Sequence, residues 1–173
     1  MSIVGEDMVI DTVDETDAAV SQISRRDVFK EHANFRVVHI LVFNAKGELL
    51  LQRLALTRSR HAGYWGSSVA GYLHSHEQYG EAARRRVLEE LGIYEAQLDL
   101  VGKTVMDDEE SWKFIEVFTT VQEGPFNFDR NHIDSVEFMA LPVIRALEQS
   151  GARKFTPTFI HVLDYYETQL KLA

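Results

Sequence analysis

The sequence predicts a layered α/β domain, in which strands and helices of one chain share a core. Two segments carry that prediction. Phe35 to Phe43 is rich in Val and Ile over strand length, and Gln78 to Leu91 is dominated by Ala, Arg, Leu and Glu, with Ala82, Val87 and Leu91 spaced for one buried face of a helix. Length supplies a third observation. A chain of 173 residues suits one core of ordinary size, so 1–173 is expected to form a single domain, with 1–34 as an N-terminal extension.

The elements follow in order. Within the extension, Val20 to Ser24 predicts a short strand and Arg25 to His32 a brief helix. Asn44-Ala-Lys-Gly47 is turn chemistry between Phe35–Phe43 and a second strand over Glu48 to Arg53, which together predict a hairpin. Leu54 to Ala62 is a polar, basic loop holding Arg58, Arg60 and His61. It leads through Gly63-Tyr-Trp-Gly66 into a strand over the small residues Ser67 to Gly71. The helix that follows starts either at a capping box of Ser75 with Gln78 or at Gln78 itself, and Gly92 suits its left-handed stop. Leu98 to Met106 and Ser111 to Val121 alternate as strands do and are joined by the acidic turn Asp107 to Glu110. Val136 to Leu141 is a further strand. Pro142 and Pro157 each open a helix, the first reaching about Gln149 and the second burying Phe159, Val162, Leu163 and Tyr166.

Composition narrows the function classes. Hydrophobic residues at 45% and charged residues at 26% describe a globular chain. The longest apolar runs, such as Val37 to Phe43, fall far short of the roughly 20 residues that cross a bilayer. Glu6, Asp7, Asp11, Asp14 and Glu15 stand where a secretory leader needs basic and then apolar residues, so a cytoplasmic location is expected. A net charge of -9 disfavours general nucleic-acid binding. The chain has no cysteine, which excludes disulfides, zinc-thiolate sites and cysteine nucleophiles. A homodimer is expected only from the frequency of such assemblies among small enzymes.

The chemistry concentrates between Gly71 and Ile93. On a helix, Glu89 and Glu90 follow Arg86 by three and four residues, so all three project from nearly one side. Two adjacent carboxylates are hard oxygen donors suited to Mg2+ or Mn2+. Gly71 lets backbone approach closely, and its carbonyl is a third candidate metal ligand.

This stretch resembles the Nudix box, G-x5-E-x7-R-E-U-x-E-E-x-G-U with U aliphatic: Gly71, Glu77, Arg85, Val87, Glu89, Glu90, Gly92 and Ile93 fall in register. Phe43 to Arg53, Gly63-Tyr-Trp65 and Phe155-Thr-Pro157 extend the likeness over about residues 35–165, toward the branch related to isopentenyl-diphosphate isomerases. The resemblance implies the Nudix fold, a mixed β-sheet in an α/β/α sandwich. It also implies hydrolysis of a small metabolite in which a nucleoside diphosphate is linked to another moiety, with Mg2+ or Mn2+ held by Gly71, Glu89 and Glu90. Glu77, Arg85, Glu89 and Glu90 are then the expected catalytic set, with Arg85 holding Glu77 or Glu81 and Glu77 either helping the metal site or pairing with Arg85 to fix the loop. Arg53, Arg58 and Arg60 are concentrated in an otherwise acidic chain, and at least one of them is expected to contact phosphate, the others being ordinary loop charges.

Two departures change the expectation. The isomerases of that branch carry a cysteine where this chain reads Ser68-Val-Ala-Gly-Tyr72, so isomerase chemistry is not expected. Arg86 replaces the first glutamate of R-E-U-x-E-E. A cation there removes a ligand and adds repulsion beside an ion, and Arg86 is expected either to pair with Glu90 or to contact substrate phosphate. The general base must then come from elsewhere, with Glu81, Glu116 and His132 as candidates. A nucleotide-binding module with weak or no turnover is the alternative.

Overall fold

The computed structural model describes residues 8–173; Glu6 and Asp7 of the N-terminal charge argument, like the rest of 1–7, lie outside them. The centre is β3 (Phe35–Phe43), whose residues are apolar toward both faces. Val37 and Leu41 point into one core, and Val38, Ile40 and Val42 into the other. A strand buried on both sides needs a partner along each edge. β8 (Ser111–Val121) pairs parallel with its whole length, and β6 (Val69–Tyr72) runs antiparallel along the other edge. β7 (Asp99–Asp108) lies beyond β8. The predicted hairpin is therefore corrected: β4 (Leu49–Leu54) meets β3 only at Phe43↔Leu49 and pairs instead with β9 (Ile133–Met139) and the short β5 (Trp65–Gly66). The turn itself forms as expected, Gly47 N–H donating to the Asn44 carbonyl at 3.0 Å. These seven strands make one mixed sheet.

α1 (Tyr79–Leu91) covers one face with Ala82, Ala83, Val87 and Leu91. α2 (Leu141–Ser150) and α3 (Pro157–Leu172) cover the other through Ile144, Phe159, Val162 and Leu163. The result is the expected α/β/α layering. The strand predicted over Ser67 to Gly71 begins only at Val69, as β6, with Ser67 and Ser68 joining it to β5. Ser68 holds the join by donating to the Leu50 carbonyl at 2.6 Å and accepting from Val42 N–H at 2.9 Å.

β1 (Val9–Val13), unexpected from the sequence, forms an antiparallel ribbon with β2 (Ala19–Ser24). The helix predicted over Arg25 to His32 is reduced to a 3-10 turn at Arg25–Asp27 followed by further turns. So short a segment cannot repay helix nucleation, and Val28 is instead pulled fully into the core. No helix among the described residues is long and apolar enough to cross a membrane.

Candidate active site

The box is a strand, a loop and a helix. β6 supplies Ala70 and Gly71, and α1 supplies Arg85 to Glu90. The helix starts at Gln78, whose N–H donates to Glu81 Oε1 at 3.1 Å, so the capping box is Gln78 with Glu81 and Ser75 plays no part in it. Gly92 ends the helix at φ 68°, as expected. Arg85 holds Glu77, not Glu81: its Nε and Nη2 donate to the two carboxylate oxygens at 2.8 Å each, and Nη2 also reaches the Tyr72 carbonyl at 3.0 Å. Burial alone would raise the Glu77 pKa. The Arg85 bonds and the His74 N–H outweigh it and hold the carboxyl below its ordinary range.

Glu90 is buried. Its oxygens accept from Gln52 Nε2 at 2.9 Å and from Ala70 N–H at 3.2 Å. Burial raises its pKa even though Arg86, Gln52, Ala70 and Arg58 all favour the charged form. Glu89 is about one-third exposed. Between these carboxylates lies the Arg86 guanidinium, with Nη1 at 2.8 Å from Glu89 Oε2 and Nη2 at 3.0 Å from Glu90 Oε2 and 3.4 Å from the Ala70 carbonyl. Gly71 makes room for it, since a Cβ there would lie 2.3 Å from Arg86 Nε. Two of the three expected ligands, Glu89 and Glu90, are thus already engaged by a side-chain cation, and the third acceptor on it is the Ala70 carbonyl, not the expected Gly71 one. With Arg86 in this position the set does not fit Mg2+ or Mn2+, and among the described residues no group of three or more His, Asp or Glu is arranged to hold an ion.

The other expected cations separate. Arg53 donates to the Gly63 carbonyl and to Asp134, and Arg60 pairs with Asp108 at 2.6 Å over the ring of Phe29; both are engaged within the protein. Arg58 is exposed but sits among other groups. Crowding lowers its pKa, and the positive charges of Arg25 and Arg86 add to that while Glu90 opposes it. Arg25 itself lies over the ring of Tyr72, 4.6 Å from its centroid. It was missed in the sequence because it belongs to the extension, more than forty residues before the box.

The three candidate bases also part company. Glu81 caps α1. Glu116 lies in the field of Lys103, Asp17 and Arg36, where burial raises its pKa. His132 is next to the box: its Nδ1 is 2.6 Å from Asp129 Oδ2, Asp129 N–H donates to the Glu90 carbonyl, and the His132 carbonyl accepts from Ala55 N–H in the chain leading to Arg58. Asp129 and Gln52 were not foreseen, since only folding brings them to the helix.

Comparison with known proteins identifies the family and supports the fold. The NUDIX domain profile matches residues 33–159. The Nudix hydrolase PA4841 of Pseudomonas aeruginosa is 29% identical over 154 residues, covering 89% of this chain and 90% of that protein. The Nudix hydrolase lmo0368 of Listeria monocytogenes is 32% identical over 130 residues, 71% and 72% of the two chains. The crystal structure of DR0079 from Deinococcus radiodurans superposes with a TM-score of 0.79 at 24% identity, covering 91% of this chain and 99% of that one.

Proposed function

Since the chain belongs to the NUDIX domain family, whose relatives are hydrolases, we propose that it cleaves the diphosphate linkage of a small nucleotide-like metabolite. The observation that carries this reading is the convergence of Arg58, the Arg86-bound carboxylates and the His132 and Asp129 pair at one end of the box helix. Phosphate binds against Arg58, with Arg25 beside it, while the Glu77 and Arg85 pair fixes the loop that leads into the helix. Asp129 accepts the Nδ1 proton of His132, which orients the ring and leaves Nε2 to act as base. Water attacks one phosphorus and gives its proton to Nε2. The bond from that phosphorus to the bridging oxygen breaks, and the second phosphate leaves with its charge facing the guanidinium groups. Nudix enzymes in general use a divalent ion such as Mg2+ or Mn2+; in this chain the Arg86 guanidinium lies between the box glutamates instead.

A panel of nucleoside diphosphates, triphosphates and diphosphate conjugates, run with Mg2+, with Mn2+ and with EDTA, tests the proposal by the appearance of monophosphate products. Products that vanish in His132→Gln support it. A second reading, a nucleotide-binding module without turnover, is favoured by the engagement of both box glutamates with Arg86. It predicts thermal stabilisation by the same nucleotides with no product, and silence in both assays sinks both readings.

A further inference from the structure

We propose that the Arg86 guanidinium is the resident cation of this box and stands in the place of its metal ion, so that wild-type protein does not take up a divalent ion there. The inference rests on reading Gly71 to Ile93 as a Nudix box, but not on turnover. Three acceptors from two elements converge on one side chain: Glu89 Oε2 and Glu90 Oε2 from α1, and the Ala70 carbonyl from β6. A negative, oxygen-lined seat of this kind suits a hard cation, and here its charge is met by a cation that belongs to the chain itself. The fit is one of charge more than of guanidinium geometry, because Arg86 Nε is buried and has no hydrogen-bond partner among the described residues.

Two further features hold the side chain in that seat. It is only 12% exposed, and the missing Cβ of Gly71 opens the space that Nε, Cδ and Cγ of Arg86 fill. An incoming ion would have to expel a paired, largely buried arginine and would meet its positive charge throughout. Glu89, the more exposed carboxylate, is also tied to Arg85 Nη1 at 3.1 Å. It therefore lies between two cations before any ion arrives.

The test is Mn2+ binding to the full chain, followed by electron paramagnetic resonance, for wild type, Glu89→Gln/Glu90→Gln, Arg86→Glu, Arg86→Gln and the triple variant Arg86→Glu/Glu89→Gln/Glu90→Gln. Circular dichroism verifies that each variant is folded. Arg86→Glu is expected to gain one site that binds Mn2+ roughly 10- to 100-fold more tightly than anything in wild type, the size of effect typical when groups around an ion are altered. The gain should disappear in the triple variant. Arg86→Gln, which removes the charge without supplying a ligand, keeps the test independent of how the new glutamate packs and is expected to fall between. A wild-type site abolished by Glu89→Gln/Glu90→Gln would overturn the inference. So would Arg86→Glu and Arg86→Gln variants that bind no better than wild type, since Arg86 would then not be what excludes the ion. Hydrolysis is not read in this experiment, so an inactive substrate panel counts against the proposed function and leaves this result standing.

Discussion

At the scale of single residues, Gly71 and Arg86 are coupled by shape. Gly71 does not adopt a left-handed backbone, so alanine is objectionable there only because its Cβ would sit 2.3 Å from Arg86 Nε. Gly71→Ala is expected to cost about 1–3 kcal/mol through overpacking and well under that in an Arg86→Ala background, a double-mutant cycle read by urea denaturation. Equal costs in both backgrounds would place the strain elsewhere. Glu77 gives a pH-dependent counterpart. Its folded pKa lies below the ordinary 4.5, so its contribution is present above that value and is lost as pH falls through the folded value. Glu77→Gln should therefore cost about 1.5–3 kcal/mol near pH 7, the range for hydrogen bonds to charged groups, and the deficit should close in acid; a deficit constant with pH would mean that charge is not its origin. Arg58→Gln is expected to weaken binding of inorganic pyrophosphate about tenfold by calorimetry, the worth of one charge-assisted contact, with melting temperature nearly unchanged. The sequence made much of this visible, because helical spacing alone put Arg86 beside Glu89 and Glu90. Gln52, Asp129 and Arg25 stayed hidden, since each arrives through strand pairing or loop contacts that no local spacing encodes.

At the scale of elements, what the sequence revealed were boundaries, and what it withheld were partners. Phe35–Phe43 and Ser111–Val121 begin and end as hydrophobic patterning predicts. That β3 pairs with β8, a strand some seventy residues later in the chain, follows only when both of its apolar faces and both of its edges must be satisfied together. The hairpin prediction failed for that reason: turn chemistry at Asn44 to Gly47 fixes a reversal, not how far the two strands stay paired. The ribbon strand β1 escaped notice because its sequence Val9-Ile-Asp-Thr-Val13 offers too little alternation in an acidic setting. Gly92 is where local and distant demands agree. It needs φ 68° to stop α1, and a Cβ would also lie 2.9 Å from the Asn127 carbonyl. Gly92→Ala should lose at least about 1–2 kcal/mol from the backbone alone. A loss below half a kcal/mol in chemical denaturation would show that the helix end relaxes freely.

At the scale of the whole molecule, the extension is bound into the same structure as the box. Ile10, Val13 and Val28 are buried, and Ile10 and Val28 join the core beneath α3. The strongest tie is Asp17, whose side chain is 5% exposed. It accepts from Arg36 of β3 at 2.7 Å, from Lys103 of β7 at 2.5 Å and from Tyr79 of α1 at 2.8 Å. One carboxylate thus joins the β1–β2 ribbon to three elements of the matched domain. Burial disfavours its charge, but those three donors more than offset that and lower its pKa. The sign is the same as for Glu77: the stabilisation is present above the ordinary value of 3.8 and is lost as pH falls through the folded one. Asp17→Asn tests the tie without a new backbone demand, because asparagine tolerates the φ of 63° found there. It should cost about 3–5 kcal/mol at neutral pH, as removing one partner of a buried pair does, and the difference from wild type should shrink in acid. Hydrogen exchange distinguishes a tie from a decoration. If the ribbon belongs to the cooperative unit, amides of β1, β2, β3 and the first turn of α1 lose protection together in the variant. Faster exchange confined to β1 and β2, with an unchanged melting temperature, would instead make residues 8–34 an appendage on an independently stable fold.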